Sequence, residues 1–270
     1  MPQMRLAPYK IHYELYGDFH RPKVIFLHGF MGCGDDFFPI INALLPNFCC
    51  LTVDLPGHGQ TEVLDSVSYG MAAIAPVLIN LLQELNFTPC HLMGYSMGGR
   101  LGLYLTCQFP QHFTSAFLES ASPGLVTDIE HVLRQQQDEI LATELESEDW
   151  PVFLARWYAQ PLFDTLRQSP HFDEMVERRL HNRPYQLAQA LRGLGTGMQP
   201  SLWNAMAALT MPITLVVGEH DQKFVRINQS MTAQQPLAQL KILLDCGHAA
   251  HAEDPKAFAA VLQAHLSQVQ

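Results

Sequence analysis

Three separated strings in this chain hold residue types that together could activate a hydroxyl group. Gly94-Tyr95-Ser96-Met97-Gly98 fits the pattern G-x-S-x-G. Its glycines permit a tight strand-to-helix turn that lifts a serine hydroxyl above the edge of a sheet. A serine needs a base to take its proton, and the base needs an acid to hold its tautomer. "GEHDQKF" offers Asp221 and "CGHAAHAEDP" offers His248, each just past an apolar run. The chain order Ser, Asp, His is one of the known orders of such triads. His251, three residues further on, is the rival base. It falls where the next helix should begin, so His248 is preferred. A metal held by His248 and His251 would need further ligands that the sequence does not supply. The tight turn in "LHGF" (Leu27 to Phe30) could aim a backbone N–H at a substrate oxygen. The N–H groups of Phe30 and Met97 are therefore the candidate oxyanion hole. "DLPGHG" (Asp54 to Gly59) reads as a structural turn.

Four residues beyond Ser96 stands Arg100, one helical turn away. Ester hydrolysis has no evident use for a cation there. A charge in the core needs an internal acid or an anionic ligand. The other arginines are unevenly placed. Lys10, Lys23, Lys223, Lys241 and Lys256 all lie outside residues 125–200, whereas Arg134, Arg156, Arg167, Arg178, Arg179, Arg183 and Arg192 all lie inside. Most are solvated helix-face residues, but a stretch using arginine without lysine suits bidentate recognition of carboxylate or phosphate.

These residues must be carried by alternating strands and helices. "KIHYELYG" alternates as a strand does. "KVIFLHGF", "CCLTVDLPGHG", "CHLMGYS", "SAFLESASPGL", "PITLVVGEHD" and "AQLKILLDCGH" are apolar runs that end in turns, as strands buried on both faces do. Helical patterns fall between them. The expected fold class is α/β, a mostly parallel central sheet flanked by helices. Residues 125–200 are helical and polar with no convincing strand. The predicted layout is a core of residues 1–124 and 201–270 carrying a helical cap insertion of residues 125–200. Such an insertion would lie over the strand ends where open α/β sheets bind ligands.

Composition closes off other classes. Of 270 residues, 48% are hydrophobic and 16% charged, enough apolar material for a large core. The net charge of −10 argues against nucleic acid, which needs a basic footprint. No apolar run is long enough to span a membrane. The opening "MPQMRLAPYKIHYELYG" lacks the apolar stretch of a signal peptide. Six cysteines without framework spacing read as free thiols in a reducing compartment, so a cytoplasmic location is expected.

With these motifs in hand, the chain resembles α/β-hydrolase-fold proteins over nearly its full length. "LHGF", "DLPGHG", "GYSMGGR", "GEHD" and "CGHAAHAEDP" carry that likeness. Within the fold it is similar to the 2-succinyl-6-hydroxy-2,4-cyclohexadiene-1-carboxylate synthase family of menaquinone and phylloquinone biosynthesis. That narrower likeness rests on "GYSMGGR", "SPGL", "FLARWYAQPLF", "RRLHNRPYQLAQALRGLGTGMQPSLW" and "GEHDQKF". The resemblance implies a lyase that eliminates pyruvate from a small tricarboxylate without a cofactor. It implies the triad Ser96, Asp221 and His248, substrate-carboxylate contacts from Arg100, Arg134 and Arg179, and pocket walls from Tyr95 and Trp157. One departure is visible: His131 stands where the family pattern carries an arginine. The alternatives are a serine hydrolase of an anionic ester or diketone and a ligand receptor that kept the fold. The intact triad speaks against a receptor. Oligomeric state is not legible.

Overall fold

The computed structural model describes residues 2–64 and 69–268. In chain order its elements are β1 (Gln3–Leu6), β2 (Tyr9–Tyr16), β3 (Lys23–Leu27), α1 (Phe38–Leu44), β4 (Cys49–Val53), β5 (Glu62–Val63), α2 (Met71–Glu84), β6 (Cys90–Tyr95), α3 (Met97–Gln108) and β7 (Phe113–Glu119). Then follow α4 (Asp128–Ser147), α5 (Trp150–Tyr158), α6 (Phe172–Leu180), α7 (Pro184–Leu194), α8 (Trp203–Ala207), β8 (Ile213–Gly218), α9 (Gln222–Gln234), β9 (Ala238–Leu243), α10 (Ala250–Glu253) and α11 (Pro255–Ser267). The sheet order is β1-β2-β4-β3-β6-β7-β8-β9, with β5 paired to β2. From β4 to β9 every pairing is parallel; β1, β2 and β5 pair antiparallel.

Alternation along the strands explains why both faces are covered. In β3, Val24 and Phe26 point to one face, where they pack with Ile40, Ile41 and Leu44 of α1 and Phe258 and Leu262 of α11. Ile25 and Leu27 point to the other, where they meet Ile74 and Leu78 of α2 and Leu101 and Leu105 of α3. Parallel strands buried this way read as continuous apolar runs, which is why β3, β4, β6, β7 and β8 were legible. β9 differs. It is an edge strand, paired among the described residues only with β8, and its burial alternates toward exposure rather than staying complete. β1 and β5 were not anticipated, since four and two residues are too short to show a period.

Between β7 and β8 the chain forms helices α4 to α8 and no strand. A third apolar cluster joins Phe153, Leu154 and Tyr158 of α5, Met175 of α6 and Leu187 of α7 to Met31 and Ala249, which follow β3 and β9. No helix among the described residues is long and apolar enough to cross a membrane.

One buried ion pair ties this helical stretch to the core. Asp36 follows β3 in a short 3-10 helix, Gly34–Phe37. Arg179 Nη1 donates to Asp36 Oδ1 at 2.9 Å and Nη2 donates to Oδ2 at 2.7 Å. Arg178 adds a bond to Oδ1 at 3.3 Å. Burial pushes the Asp36 carboxyl up, but the Arg179 charge and hydrogen bonds outweigh it and hold the pKa well below the usual carboxylate range. The stability this gives is therefore present above the unfolded carboxylate pKa and is lost as pH falls through the folded value. Breaking such a pair strands a buried charge, so Asp36→Asn is expected to destabilise the fold by about 3–5 kcal/mol. A denaturant midpoint measured at neutral pH checks this, and an unchanged midpoint would contradict it.

Candidate active site

The serine stands on a strained turn. β6 ends at Tyr95, α3 begins at Met97, and Ser96 between them has φ 50° and ψ −108°. Non-glycine residues seldom occupy that region, and such strain is characteristic of functional turns. Close packing demands both flanking glycines. A Cβ on Gly94 would lie 2.6 Å from the Gly98 carbonyl oxygen, and one on Gly98 would strike the Leu27 carbonyl oxygen. The elbow thus packs directly on the end of β3.

Two further strand ends complete the set. Asp221 follows β8 and caps α9, with its Oδ1 accepting from the Phe224 N–H at 3.3 Å. His248 follows β9. Its Nδ1 lies 2.6 Å from Asp221 Oδ2 and its Nε2 lies 3.0 Å from Ser96 Oγ. With Nδ1 protonated and bonded to the carboxylate, Nε2 is left to accept the serine proton. His248 and Asp221 are both buried, so solvent does not compete for these bonds.

His251 is held apart from this triad. Its backbone N–H donates to Glu119 Oε1 at 3.0 Å, and its Nδ1 lies 2.8 Å from Glu119 Oε2, a close contact outside hydrogen-bonding alignment. The Tyr95 ring packs against both histidines, 4.4 Å from the His251 centroid and 5.5 Å from that of His248.

A cavity of about 240 Å³ opens beside Ser96, and Phe30, Met97, Tyr95 and Trp157 line it. Met97 is the first residue of α3, so its N–H has no carbonyl one turn back to bond. Phe30 sits in a loop braced by His28. That ring's Nε2 accepts from the Leu55 N–H at 2.9 Å, and its Nδ1 lies 2.7 Å from the Gly29 carbonyl oxygen. The Phe30 ring in turn meets Trp157 edge-on at 5.6 Å.

Arg100, Arg134, Arg179 and Lys223 also line this cavity, and no Asp or Glu does among the described residues. The four cations are not equivalent. Arg134 Nε donates to Asp138 at 2.7 Å, and Arg179 is paired with Asp36. Lys223 is exposed, with its ammonium 5.6 Å from the Phe224 ring centroid. Arg100 is hydrogen-bonded only to neutral groups among the described residues. It donates to Gln199 Oε1 at 3.2 Å and to the Leu194 carbonyl oxygen at 2.8 Å, at 8% exposure. Burial presses its pKa down to about 10, with the Arg134 charge next and Asp138 opposing. It stays cationic at neutral pH.

The triad, the oxyanion-hole candidates and Tyr95, Arg100, Arg134, Trp157 and Arg179 all meet at this one site, Asp221 through its bond to His248, whereas Arg156, Arg167, Arg178, Arg183 and Arg192 do not line it. Others there were not singled out. Lys223 sits in the noted string "GEHDQKF", but its face could not be read. Asp36 and Asp138 meet their arginines only through tertiary packing, since Asp36 lies 143 residues from Arg179. A larger cavity, about 520 Å³, lies beyond Asp36 and contains Arg178, His12 and Asp54 but none of the triad.

Comparison with known proteins agrees with this fold. The family model for the alpha/beta hydrolase fold matches residues 22–255. The 2-succinyl-6-hydroxy-2,4-cyclohexadiene-1-carboxylate synthase of Yersinia pestis is 35% identical over 248 residues, covering 92% of this chain and 88% of that protein. Protein PHYLLO, chloroplastic, of Arabidopsis thaliana is 31% identical over 91% of this chain, which spans 15% of that longer protein. The structure of MenH from S. aureus superposes with a TM-score of 0.91 at 29% identity, covering 98% of this chain and 100% of that one. An elbow serine with its histidine and aspartate, set on this sheet and matched over nearly its whole length, makes the chain a member of the alpha/beta hydrolase fold family and, within it, of the 2-succinyl-6-hydroxy-2,4-cyclohexadiene-1-carboxylate synthases.

Proposed function

We propose that this chain is a lyase of menaquinone biosynthesis. It eliminates pyruvate from 2-succinyl-5-enolpyruvyl-6-hydroxy-3-cyclohexene-1-carboxylate to give 2-succinyl-6-hydroxy-2,4-cyclohexadiene-1-carboxylate. One observation carries the reading beyond family membership. A buried guanidinium with no acid hydrogen-bonded to it among the described residues lies one turn behind the candidate nucleophile, on a cavity whose described lining has cations and no carboxylate. A neutral ester needs no such arrangement; a substrate with three carboxylates does.

The chemistry assigned to each group follows from its position. His248, oriented by Asp221, takes the Ser96 proton. Ser96 Oγ then removes the proton from the ring carbon next to the succinyl ketone. The electron pair moves to the ketone oxygen, and the resulting enolate is met by the N–H groups of Phe30 and Met97. Its collapse shifts the ring double bond and breaks the carbon–oxygen bond to the enolpyruvyl group, which leaves as enolpyruvate and becomes pyruvate on protonation. No water attacks and no acyl-enzyme forms. Arg100 holds one substrate carboxylate, and Arg134 and Arg179, steadied by their aspartates, direct N–H groups at the others. Tyr95 and Trp157 wall the ring. In this reading residues 125–200 act as the cap that carries Arg134, Trp157 and Arg179 to the strand ends. The six free cysteines suit a reducing compartment such as the cytoplasm.

Pyruvate release from the enolpyruvyl substrate tests the proposal. Ser96→Ala is expected to lower kcat by roughly 100-fold or more, the scale of general-base catalysis. Arg100→Gln keeps a hydrogen-bonding side chain without the charge. It is expected to lower kcat/KM by roughly 10–100-fold, the equivalent of about 1.5–3 kcal/mol for a lost charge-assisted bond. Rapid hydrolysis of neutral esters with no pyruvate release would overturn the reading in favour of a serine hydrolase.

A further inference from the structure

His248 stands on a loop rather than on a regular element. The chain leaves β9 at Leu243, passes the exposed Leu244 and Asp245, and enters α10 at Ala250. A base must hold its ring within a few tenths of an ångström of a productive position, and a loop does not do this unaided. We propose that Glu253 is the positioning residue for His248. Its carboxylate grips the peptide on both sides of the histidine. Oε2 accepts from the Gly247 N–H at 2.7 Å, and Oε1 accepts from the Ala249 N–H at 3.2 Å.

Two other contacts turn this grip into a closed clamp. The Glu253 backbone N–H donates to the Ala249 carbonyl oxygen at 3.0 Å, so the one turn of α10 ties back to the loop through main chain and side chain together. From the opposite side Ser120 Oγ donates to the His248 carbonyl oxygen at 3.0 Å. Gly247 has no slack to take up a shift: a Cβ there would strike Thr165 Oγ1, in the helical stretch between β7 and β8. A carboxylate accepting two amide N–H groups makes stronger bonds than a neutral side chain would. The clamp therefore fixes the peptide planes from which the imidazole projects toward Ser96 and Asp221. Glu253 is half-buried, and in this role it touches neither substrate nor the reacting atoms.

The inference rests on His248 being the base, so its test pairs turnover with a reaction that reports on the base alone. Kinetic constants for pyruvate release and the rate of Ser96 labelling by a fluorophosphonate are measured for Glu253→Ala and Glu253→Gln. A misplaced histidine slows both reactions. Glu253→Ala is expected to lower kcat and the labelling rate together by about 10-fold or more, with KM within about twofold, since small misplacements of a catalytic group are costly. Glu253→Gln keeps one acceptor oxygen and is expected to fall between Ala and native. Native-like kcat and labelling in both variants, or a loss confined to KM or melting temperature, would overturn the proposal. If Glu253→Ala does not fold, Glu253→Gln decides alone, and native rates in it overturn the clamp. If labelling falls as expected while even the native protein releases no pyruvate, the clamp stands and the lyase reading is lost.

Discussion

A guanidinium buried without an acid is the constraint around which this site is arranged. Arg100 sits at 8% exposure on α3, hydrogen-bonded among the described residues only to an amide and a backbone carbonyl. Those bonds satisfy donors but do not neutralise the charge. A fold keeps such an arrangement when a ligand supplies the missing anion, and here the cavity where the ligand would lie also contains Ser96. The position of Arg100 is set by the elbow itself, because the turn that raises Ser96 also starts the helix that carries the arginine one turn later.

The surrounding charges support this division. Asp138 and Asp36 each stand behind one of the other two arginines, orienting them while cancelling much of their charge. Asp36 does so from the core side and Arg179 from the helical stretch, so one ion pair both docks α6 and aims a cation at the cavity. The triad follows the same economy of parts. Asp221 caps α9 while holding His248, and His28 braces the Phe30 loop while bonding the start of "LPGHG".

Much of this was legible in the sequence because parallel strands bury both faces and announce themselves as apolar runs ending at Gly, Asp or His. The elbow was legible because only glycine fits at positions 94 and 98. The strands that escaped reading, β1 and β5, are too short to carry a period, and β9 is an edge whose partial exposure does not alter its composition. The residues that escaped, Asp36, Asp138 and Glu253, act through partners brought near by tertiary packing or by a loop geometry that spacing does not encode. Arg179 shows the limit well. The family resemblance implies that it contacts a substrate carboxylate, but nothing in its sequence context shows that it also grips an aspartate from 143 residues earlier. Arg100 was the opposite case: spacing placed it near the serine, and only the structure showed that none of the described acids is hydrogen-bonded to it.

Substrate affinity measured in the absence of turnover tests the role of that cation most directly. Calorimetric titration of the Ser96→Ala protein with the enolpyruvyl tricarboxylate, compared with the same protein also carrying Arg100→Gln, isolates what the Arg100 charge contributes to binding. Kd is expected to rise by about 10-fold or more when the charge is removed, the equivalent of at least about 1.4 kcal/mol. Equal affinity in the two proteins would contradict it, since the buried cation would then have some purpose other than holding the substrate.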